Sequence, residues 1–249
     1  MNEQSSQQTG DASTAEPRPF SGAVALVTGA SRGLGRAVAE QLGAAGAQIV
    51  ALARTVGGLE EMDDAVQSAG GPKALLAPLD LTDLDAIDGL GAALHQRYGK
   101  VDILVHAAAT ASPLTPAAHL EPKDLNQLMT INAAATARLI RSIDPLLRLG
   151  QRREAVFMID RKGGAPFWGG YGASKAAAEA LARSYAAECA AAEQPIHVHL
   201  YEPPPMPTAL RARTHPGEDR SQLTPCAVVA GRVVALLSEQ KHEAALPSG

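Results

Sequence analysis

The chain has 249 residues, of which 46% are hydrophobic and 19% are charged, and its formal net charge is -4 at pH 7. This length and composition can bury the core of one large domain, so we expect a single α/β unit. The scattered basic residues exclude the strongly basic surface that nucleic acid or an anionic membrane requires. The two cysteines, Cys189 and Cys226, lie far apart without the spacing of a metal site or redox pair. We predict no disulfide framework and no metal site.

The first residues are polar and rich in Gln, Ser and Thr. They cannot offset their ordering entropy by burial, so residues 1–19 are predicted to be a disordered tail before a domain of residues 20–249. The tail lacks the basic start and apolar run of a secretory signal, and we find no later stretch of about 18 uncharged apolar residues. We expect a cytoplasmic protein without membrane or nucleic-acid partners.

Short runs rich in Val, Ile and Leu alternate with longer segments of helical period, a pattern typical of repeated βαβ units. It predicts a single Rossmann-type, doubly wound parallel sheet of six or seven strands with helices on both faces. The Pro-rich segment 202–225 is predicted to be a loop over the carboxyl ends of the strands, in which EPPPMPT is followed by a short, charged piece, TALRARTHPGEDRS, that can form a helix. The predicted strands are 23–28, 48–53, 73–79, 101–106, 154–159 and 195–201, and the predicted helices are 34–45, 57–69, 83–98, 122–149 and 171–193.

A glycine-rich turn joins the first predicted strand to the first predicted helix. The stretch AVALVTGASRGLG places Gly29, Gly33 and Gly35 in this turn. Glycines allow unusual backbone dihedrals and a close approach to a pyrophosphate, while the amides and the helix N-terminus face the anion. In this context the turn predicts dinucleotide binding; the alternative is a tight turn kept only for packing.

The end of the second predicted strand indicates which dinucleotide is bound. A carboxylate there would bind a ribose 2'-hydroxyl, whereas a basic residue suits a 2'-phosphate. The strand ends with neutral Ala53 followed by Arg54, and Arg32 of the glycine-rich turn can face the same place. We therefore predict NADP(H) in preference to NAD(H). The alternative is that both arginines are solvated surface groups.

Three further motifs follow the glycine-rich turn: LDLTD with Asp80, MTINAAA with Asn132, and YGASK with Tyr171 and Lys175. Together with TGASRGLG they resemble the short-chain dehydrogenase/reductase family over residues 23–237. The resemblance implies that Asp80 contacts adenine and that Asn132 supports a proton-relay water. It also implies a small carbonyl or alcohol substrate and a homodimer or tetramer. The predicted cofactor-binding residues are Gly29, Ser31, Arg32, Gly33, Leu34, Gly35, Arg54, Asp80, Leu81, Ala107, Tyr171, Lys175 and Thr208.

Tyr171 and Lys175 are four residues apart, so on a helix they share one face. A lysine ammonium favours the phenolate, which allows the tyrosine to give or take a proton during hydride transfer. Lys175 can also hold the nicotinamide ribose. The alternative is an exposed helix pair without a catalytic role. The predicted catalytic residues are Tyr171, Lys175, Asn132 and Asp160.

The family's catalytic serine is absent from its expected place. Met158 stands there without a gap, and Asp160 stands there if the loop is two residues shorter. An ionised Asp160 near Tyr171 would raise the tyrosine pKa and repel a carbonyl oxygen that gains charge. Four alternatives remain: Arg161 or Lys162 neutralises Asp160, burial keeps it protonated, it turns away to bind a cationic substrate group, or it is a solvated loop carboxylate.

Other positions also depart from the family. HAAA at residues 106–109 replaces an asparagine-alanine-glycine turn, and we expect His106 to be a partly buried histidine with paired nitrogens, the alternative being a polar contact in the site. EPPPMPT replaces a proline-glycine turn and leaves Thr208 for one hydroxyl contact. Phe167 and Trp168 are candidates for an apolar pocket wall. The function predicted from these residues is an NADP(H)-dependent oxidoreductase; the alternative is a catalytically weak or inactive relative that binds cofactor or a protein partner.

Overall fold

The computed structural model describes residues 18–239. Six strands form one sheet: β1 Val24–Thr28, β2 Gln48–Ala53, β3 Leu75–Pro78, β4 Ile103–His106, β5 Glu154–Met158 and β6 His197–Tyr201. Their order is β3-β2-β1-β4-β5-β6, and all neighbours are parallel. The predicted fold class is confirmed, with six strands in the described part of the chain.

The helices lie between the strands and cover both faces of the sheet. They are α1 Gly33–Ala44, α2 Val56–Ser68, α3 Leu84–Tyr98, α4 Pro122–Met129, α5 Ala135–Leu149, α6 Gly169–Ala190, α7 Ala209–Thr214 and α8 Cys226–Ser238. A π-helical segment, Thr130–Ala134, joins α4 to α5, and the short 3₁₀ turns are Ala117–His119 and Arg220–Gln222.

The side chains of β1 show how the sheet divides the core into two layers. Val27 packs into a cluster with residues of α1, α2 and α8, whereas Leu26 packs into a second cluster with residues of α3, α5 and α6. Successive strand residues point to opposite faces, so both faces of a covered strand must be apolar. This is why the central strands are continuous apolar runs.

The crevice for a ligand follows from the strand order. The chain winds from β1 through β2 to β3 on one side, then returns to place β4 on the other side of β1. Ligands of open α/β sheets bind outside the carboxyl ends of the strands at such a switch point. The segments after β1 and β4 therefore face one another across the crevice.

The structure corrects several boundaries and adds one helix. The single predicted helix 122–149 is divided by the π-helical segment, which buries Asn132. Helix α8 was not predicted, although Val229, Val233 and Leu237 repeat at helical spacing and pack into the first core cluster. Within the described residues, the helical stretch 220–238 is long and apolar enough by composition to cross a membrane. Only 22% of that stretch is buried, and α8 packs mainly against α1.

The N-terminal tail predicted over residues 1–19 lies outside the described residues except for its last two positions. There the Arg18 guanidinium donates hydrogen bonds to the carbonyl oxygens of Ala44 and Gly70. The Phe20 side chain is buried in the core. Contacts between the N-terminal segment and the domain therefore already include Arg18, which precedes the predicted start of the domain at residue 20. Residues 240–249 also lie outside the described part, so the seventh of the six or seven predicted strands stays a prediction.

A buried carboxylate ties the start of the sheet to the approach of β5. Asp102 is 1% exposed and accepts hydrogen bonds from the backbone N–H groups of Val24, at 2.9 Å, and Gln151, at 2.7 Å. The Lys100 ammonium lies 2.9 Å away. Burial opposes ionisation, yet Lys100 and the two N–H donors hold the pKa of Asp102 below its ordinary value.

We predict that Asp102→Ala lowers the free energy of unfolding by about 3 kcal/mol, because two buried N–H donors lose their acceptor. Lys100→Ala is the control, and it should cost about 1 kcal/mol because water can replace the half-exposed ammonium. Urea denaturation of both variants measures the difference. Equal losses would contradict the role given to the backbone bonds.

Candidate active site

A cavity of about 420 Å³ lies at the carboxyl ends of the strands. Its walls come from the glycine loop (residues 28–35), the ends of β2, β4 and β5, and the segment from β6 to α7. Of the predicted catalytic and cofactor-binding residues, Asn132 alone is absent from the wall. The predicted residues that line the cavity are Gly29, Ser31, Arg32, Gly33, Leu34, Gly35, Arg54, Asp80, Leu81, Ala107, Asp160, Tyr171, Lys175 and Thr208.

The glycine loop has the shape of a pyrophosphate cradle. Gly29 has φ +70°, and a Cβ on Gly35 would lie 2.4 Å from the Gly29 carbonyl oxygen. Helix α1 begins at Gly33 without a side-chain cap or an acidic residue in its first turn. Its first N–H groups and its dipole therefore favour an anion at this end of the cavity. The residues present fit the diphosphate of a dinucleotide.

The other end of the loop adjoins β2 and β3. The Arg54 guanidinium lies 3.7 Å from the Asp80 carboxylate, which also accepts from the backbone N–H and hydroxyl of Thr82 at 2.9 Å each. Burial opposes the shift, but these donors hold the pKa of Asp80 below its ordinary value. Helix α2 begins directly after Thr55, which makes no side-chain cap, so a second open helix N-terminus lies beside Arg54.

Helix α6 carries Tyr171 and Lys175, both buried. The Tyr171 hydroxyl donates to Asp160 Oδ2 at 3.0 Å, and Lys175 Nζ donates to the Met158 carbonyl oxygen at 2.6 Å. Burial and the Asp160 charge raise the pKa of Tyr171 well above its ordinary value. The ammonium of Lys175 alone would lower the pKa of Tyr171, so the shift is opposite to the one expected from the lysine.

Burial also acts on the lysine of this pair. It lowers the pKa of Lys175 to about 8, although the charges of Asp160 and Glu179 oppose the shift. An ammonium taken from water into an apolar surrounding loses hydration, which favours its neutral form. Lys175 can therefore lose its proton near neutral pH more readily than an exposed lysine.

The Asp160 side chain is 32% exposed and faces Tyr171, so the interpretation as a purely solvated loop carboxylate is wrong. Arg161 does not neutralise it, because its guanidinium pairs with Glu179 at 3.2 Å and with Glu202 at 3.0 Å. The Lys162 ammonium is 3.9 Å from Asp160 Oδ1, beyond hydrogen-bond distance. Asp160 thus faces the tyrosine hydroxyl without a side-chain cation at hydrogen-bond distance, although the charges of Lys175 and Arg211 act on it from farther away.

His106 is buried, and both of its ring nitrogens are paired, as expected from the sequence. Nδ1 lies 2.8 Å from the Thr28 hydroxyl, and Nε2 lies 2.9 Å from the Thr136 hydroxyl. Thr136 gives its own proton to the Asn132 carbonyl oxygen, so Nε2 must be the donor. Nδ1 then accepts from Thr28, which in turn accepts from the Ala108 N–H. The imidazole is neutral, and burial and Lys175 lower its pKa to about 3.

Asn132 lies behind the cavity wall rather than in it. Its side-chain oxygen accepts from the Thr110 N–H at 2.8 Å, and its nitrogen donates to the Thr110 carbonyl and the Ser174 hydroxyl, both at 2.9 Å. Ser174 donates to the Tyr171 carbonyl oxygen. The Asn132 side chain therefore orders the segment after β4 and the first turn of α6, and its relay of a water stays a prediction.

The apolar wall predicted from Phe167 and Trp168 is half correct. Trp168 lines the cavity with its ring centroid 5.5 Å from that of Tyr171, whereas Phe167 is 57% exposed and lies outside the wall. Ala109, which replaces a family glycine, is not among the residues of 18–239 with positive φ, so the replacement causes no backbone strain.

Several cavity residues were missed by sequence reasoning. Thr208 caps α7 by accepting from the Arg211 N–H at 3.1 Å, and this short helix delivers further polar groups to the cavity. The charged stretch ALRART, placed after a proline-rich turn, was the available signal. No group of three or more His, Cys, Asp or Glu is placed to hold a metal within residues 18–239. The missed polar residues are Arg211, Arg213, Thr214 and His215.

The sequence model of the short chain dehydrogenases matches residues 23–219. The chain belongs to this family. The short-chain dehydrogenase described here is 34% identical over 173 residues to a fatty acyl-CoA reductase of Acinetobacter baylyi, with the match covering 67% of this chain and 57% of that relative. The chain thus spans little more than half the length of that relative.

Another relative of this short-chain dehydrogenase is the 3-oxoacyl-acyl-carrier-protein reductase FabG of Escherichia coli K12. The two are 32% identical over 175 residues, covering 69% of each chain. A short chain dehydrogenase of Escherichia coli CFT073 solved with NADPH superposes with a TM-score of 0.82 at 26% identity, covering 90% of this chain and 93% of that one. The solved short chain dehydrogenase therefore shares the fold of this chain.

We predict that His106 makes this short-chain dehydrogenase sensitive to acid. The unfolded imidazole binds a proton below about pH 6.5, whereas the folded one does so only near 3. Stability from this group is therefore complete above pH 6.5 and is lost as the pH falls through that window, by up to roughly 1.4 kcal/mol per pH unit.

Urea unfolding midpoints of the wild type and of His106→Gln, measured between about pH 7 and 4, test this prediction. Glutamine keeps a side-chain N–H donor but does not titrate in this range. The wild type should lose more stability than the variant as the pH falls, while carboxylates affect both equally. Parallel pH profiles would contradict the assignment.

Proposed function

We propose that the protein is an NADP(H)-dependent oxidoreductase that transfers hydride between the nicotinamide and a small carbonyl or alcohol substrate. One observation carries the proposal: a single cavity joins the glycine loop, with its open helix N-terminus, to Tyr171 and Lys175. Family membership and relatives named as reductases support it. They do not favour the alternative of an inactive protein.

The chain's own residues would bind, orient and move a proton, while the bound nicotinamide supplies the hydride chemistry. Tyr171 would exchange a proton with the substrate at its hydroxyl oxygen. Lys175 would hold the nicotinamide ribose and offset the charge of a phenolate. Asn132 would act as a positioning residue through Thr110 and Ser174. Asp160 would set which substrates the site accepts.

The preference for NADP(H) is supported by positive charge at the outer end of the glycine loop. Arg32 and Arg54 line the cavity there, and Ala53 stands where a carboxylate would bind a 2'-hydroxyl. The open N-terminus of α2 adds N–H donors for a 2'-phosphate. The relative solved with NADPH is consistent with the same choice.

Calorimetric titration with NADPH and NADH tests the cofactor proposal. We expect NADPH to bind more tightly than NADH by about tenfold or more, because a charged guanidinium pairs with the 2'-phosphate. Arg54→Ala should remove most of that preference while NADH affinity changes little. The control is Arg97→Ala, which removes an arginine from the end of α3, outside the residues that line the cavity.

No binding of either nucleotide would overturn the proposed function as a whole. Binding with equal affinities, unaffected by Arg54→Ala, would overturn only the choice of NADP(H). A thermal unfolding scan of each variant separates loss of binding from loss of folding.

Tyr171→Phe tests the proposed chemistry separately from cofactor binding. The ring and its contact with Trp168 remain, but the proton donor is removed. We expect kcat for the reduction of a carbonyl substrate, which takes up a proton, to fall by roughly 100-fold or more. The affinity for NADPH should change by less than about threefold. Unchanged turnover would mean that the proton comes from another group.

We also propose a homo-oligomer, as the family resemblance implies. Helix α6 presents a stripe of exposed small residues that allows close approach of a second helix. Leu181, 38% exposed, lies beside this stripe and adds apolar surface. The cytoplasmic location stays a prediction. The stripe consists of Ala173, Ala176, Ala180, Ser184 and Ala187.

A further inference from the structure

Asp160 brings a negative charge to the end of the cavity that contains Tyr171 and Lys175, which we call the reacting end. Its Oδ2 accepts the Tyr171 hydroxyl proton at 3.0 Å, and both residues line the cavity together with Lys175. A hydroxyl has one proton to donate, so this proton is directed at the carboxylate rather than into the space for a substrate. The tyrosine oxygen therefore presents its acceptor lone pairs to that space.

This arrangement opposes the reduction of a neutral carbonyl. Hydride addition to C=O places negative charge on the oxygen, which needs a donor or a positive field nearby. Here the nearest side chains offer a carboxylate, a phenol whose proton is already engaged, and the Lys175 ammonium, which donates to the Met158 carbonyl oxygen. Tyr171 must break its bond to Asp160 before it can protonate the new alkoxide.

The same arrangement favours a substrate that begins with positive charge and loses it. In a protonated imine, the C=N–H⁺ group can donate to the Tyr171 oxygen or to Asp160, and hydride addition at carbon yields a neutral amine. The step balances as NADPH plus iminium giving NADP⁺ plus amine: the C–H bond of the dihydronicotinamide breaks, a C–H bond forms on the substrate, and no proton is consumed.

The other cations near Asp160 are engaged by other partners: Lys175 donates to the Met158 carbonyl oxygen, and Arg211 pairs with Glu218. Arg161 is held by Glu179 and Glu202, and its guanidinium is not directed at the reacting end. Lys162 is 40% exposed and 3.9 Å from Oδ1, so the pair is a weak surface contact that a substrate cation can replace. Trp168 lines the same part of the cavity, and the Lys162 ammonium lies 5.7 Å from the centre of its ring, so a substrate cation that replaces Lys162 can also contact this ring.

We propose that the site reduces protonated imines in preference to neutral carbonyls, with Asp160 and Tyr171 as the groups that bind the iminium nitrogen. The inference rests on the proposed NADP(H)-dependent hydride transfer and names its substrate class. It makes Asp160 a determinant of specificity that a serine at the same place would not be.

The test compares 3,4-dihydroisoquinoline, a cyclic imine that carries a proton in neutral buffer, with the ketone 1-tetralone of similar shape. NADPH oxidation is followed for each, corrected for the reaction without enzyme. We expect the wild type to have a kcat/KM for the imine that exceeds that for the ketone by about tenfold or more, the effect of one hydrogen bond to a charged group.

Asp160→Asn keeps the size of the side chain but removes its charge, and Asp160→Ser introduces the hydroxyl usual in the family. Both should lower kcat/KM for the imine by about tenfold or more and raise it for the ketone, so that the preference reverses. The matched control is Glu61→Gln, which removes an exposed carboxylate of α2 that pairs with Arg36 and lies outside the residues that line the cavity. It should leave the ratio of the two substrates within about twofold of the wild type.

Each outcome separates the two proposals. If NADPH binds and the ketone is reduced better than the imine by the wild type, the inference fails and the proposed oxidoreductase stands. Equal loss of both activities in Asp160→Asn, with NADPH affinity and thermal unfolding intact, also overturns the inference. If NADPH does not bind, the proposed function itself fails.

Discussion

The paired hydrogen bonds of His106 hold the ends of β1 and β4 to the π-helical segment, and the crevice depends on them. Each ring nitrogen meets a threonine hydroxyl, and each hydroxyl meets a backbone group. Because all of these groups are buried, a rotation that breaks one bond leaves a polar atom unpaired, at a cost of about 1–3 kcal/mol. The width of the crevice between the two strand ends is thereby restricted.

The same chain of bonds continues to the reacting end of the cavity. Asn132 belongs to the π-helical segment that accepts from Thr136, and its side chain binds Thr110 and Ser174. Ser174 is one residue before Lys175 and bonds the carbonyl of Tyr171. The phosphate cradle and Tyr171 are therefore positioned by one continuous set of contacts, although Thr28 and Tyr171 lie 143 positions apart in the sequence.

Much of the fold could be predicted because it depends on local signals. Strand positions followed from continuous apolar runs, and the glycine loop followed from its place between a strand and a helix. The wall residues from Gly29 to Thr208 were found for the same reason, since the carboxyl ends of parallel strands meet at one edge. Helix α8 was not predicted because CAVVAGRVVALLS is apolar at nearly every position, so no alternation of apolar and polar faces marks it as a helix.

The details of the site could not be predicted because they depend on contacts distant in sequence. Phe167 and Trp168 are neighbours, yet only Trp168 lines the cavity, since the backbone at Phe167 has φ +70° and turns its ring outward. The polar groups of α7 reach the cavity through the path of the proline-rich turn. The pairing of Arg161 with Glu179 and Glu202, which leaves Asp160 without a side-chain cation at hydrogen-bond distance, depends on three separate segments.

Because of the Asp160–Tyr171 hydrogen bond, the two ends of the cavity favour ligand groups of opposite charge. The glycine loop, Arg32 and Arg54 provide positive potential where the cofactor's phosphates would lie. The reacting end contributes a carboxylate and a phenol that keeps its proton, since burial and Asp160 both raise the pKa of Tyr171. The position of one proton between the Asp160 and Tyr171 oxygens therefore determines whether the tyrosine acts toward a substrate as a donor or as an acceptor.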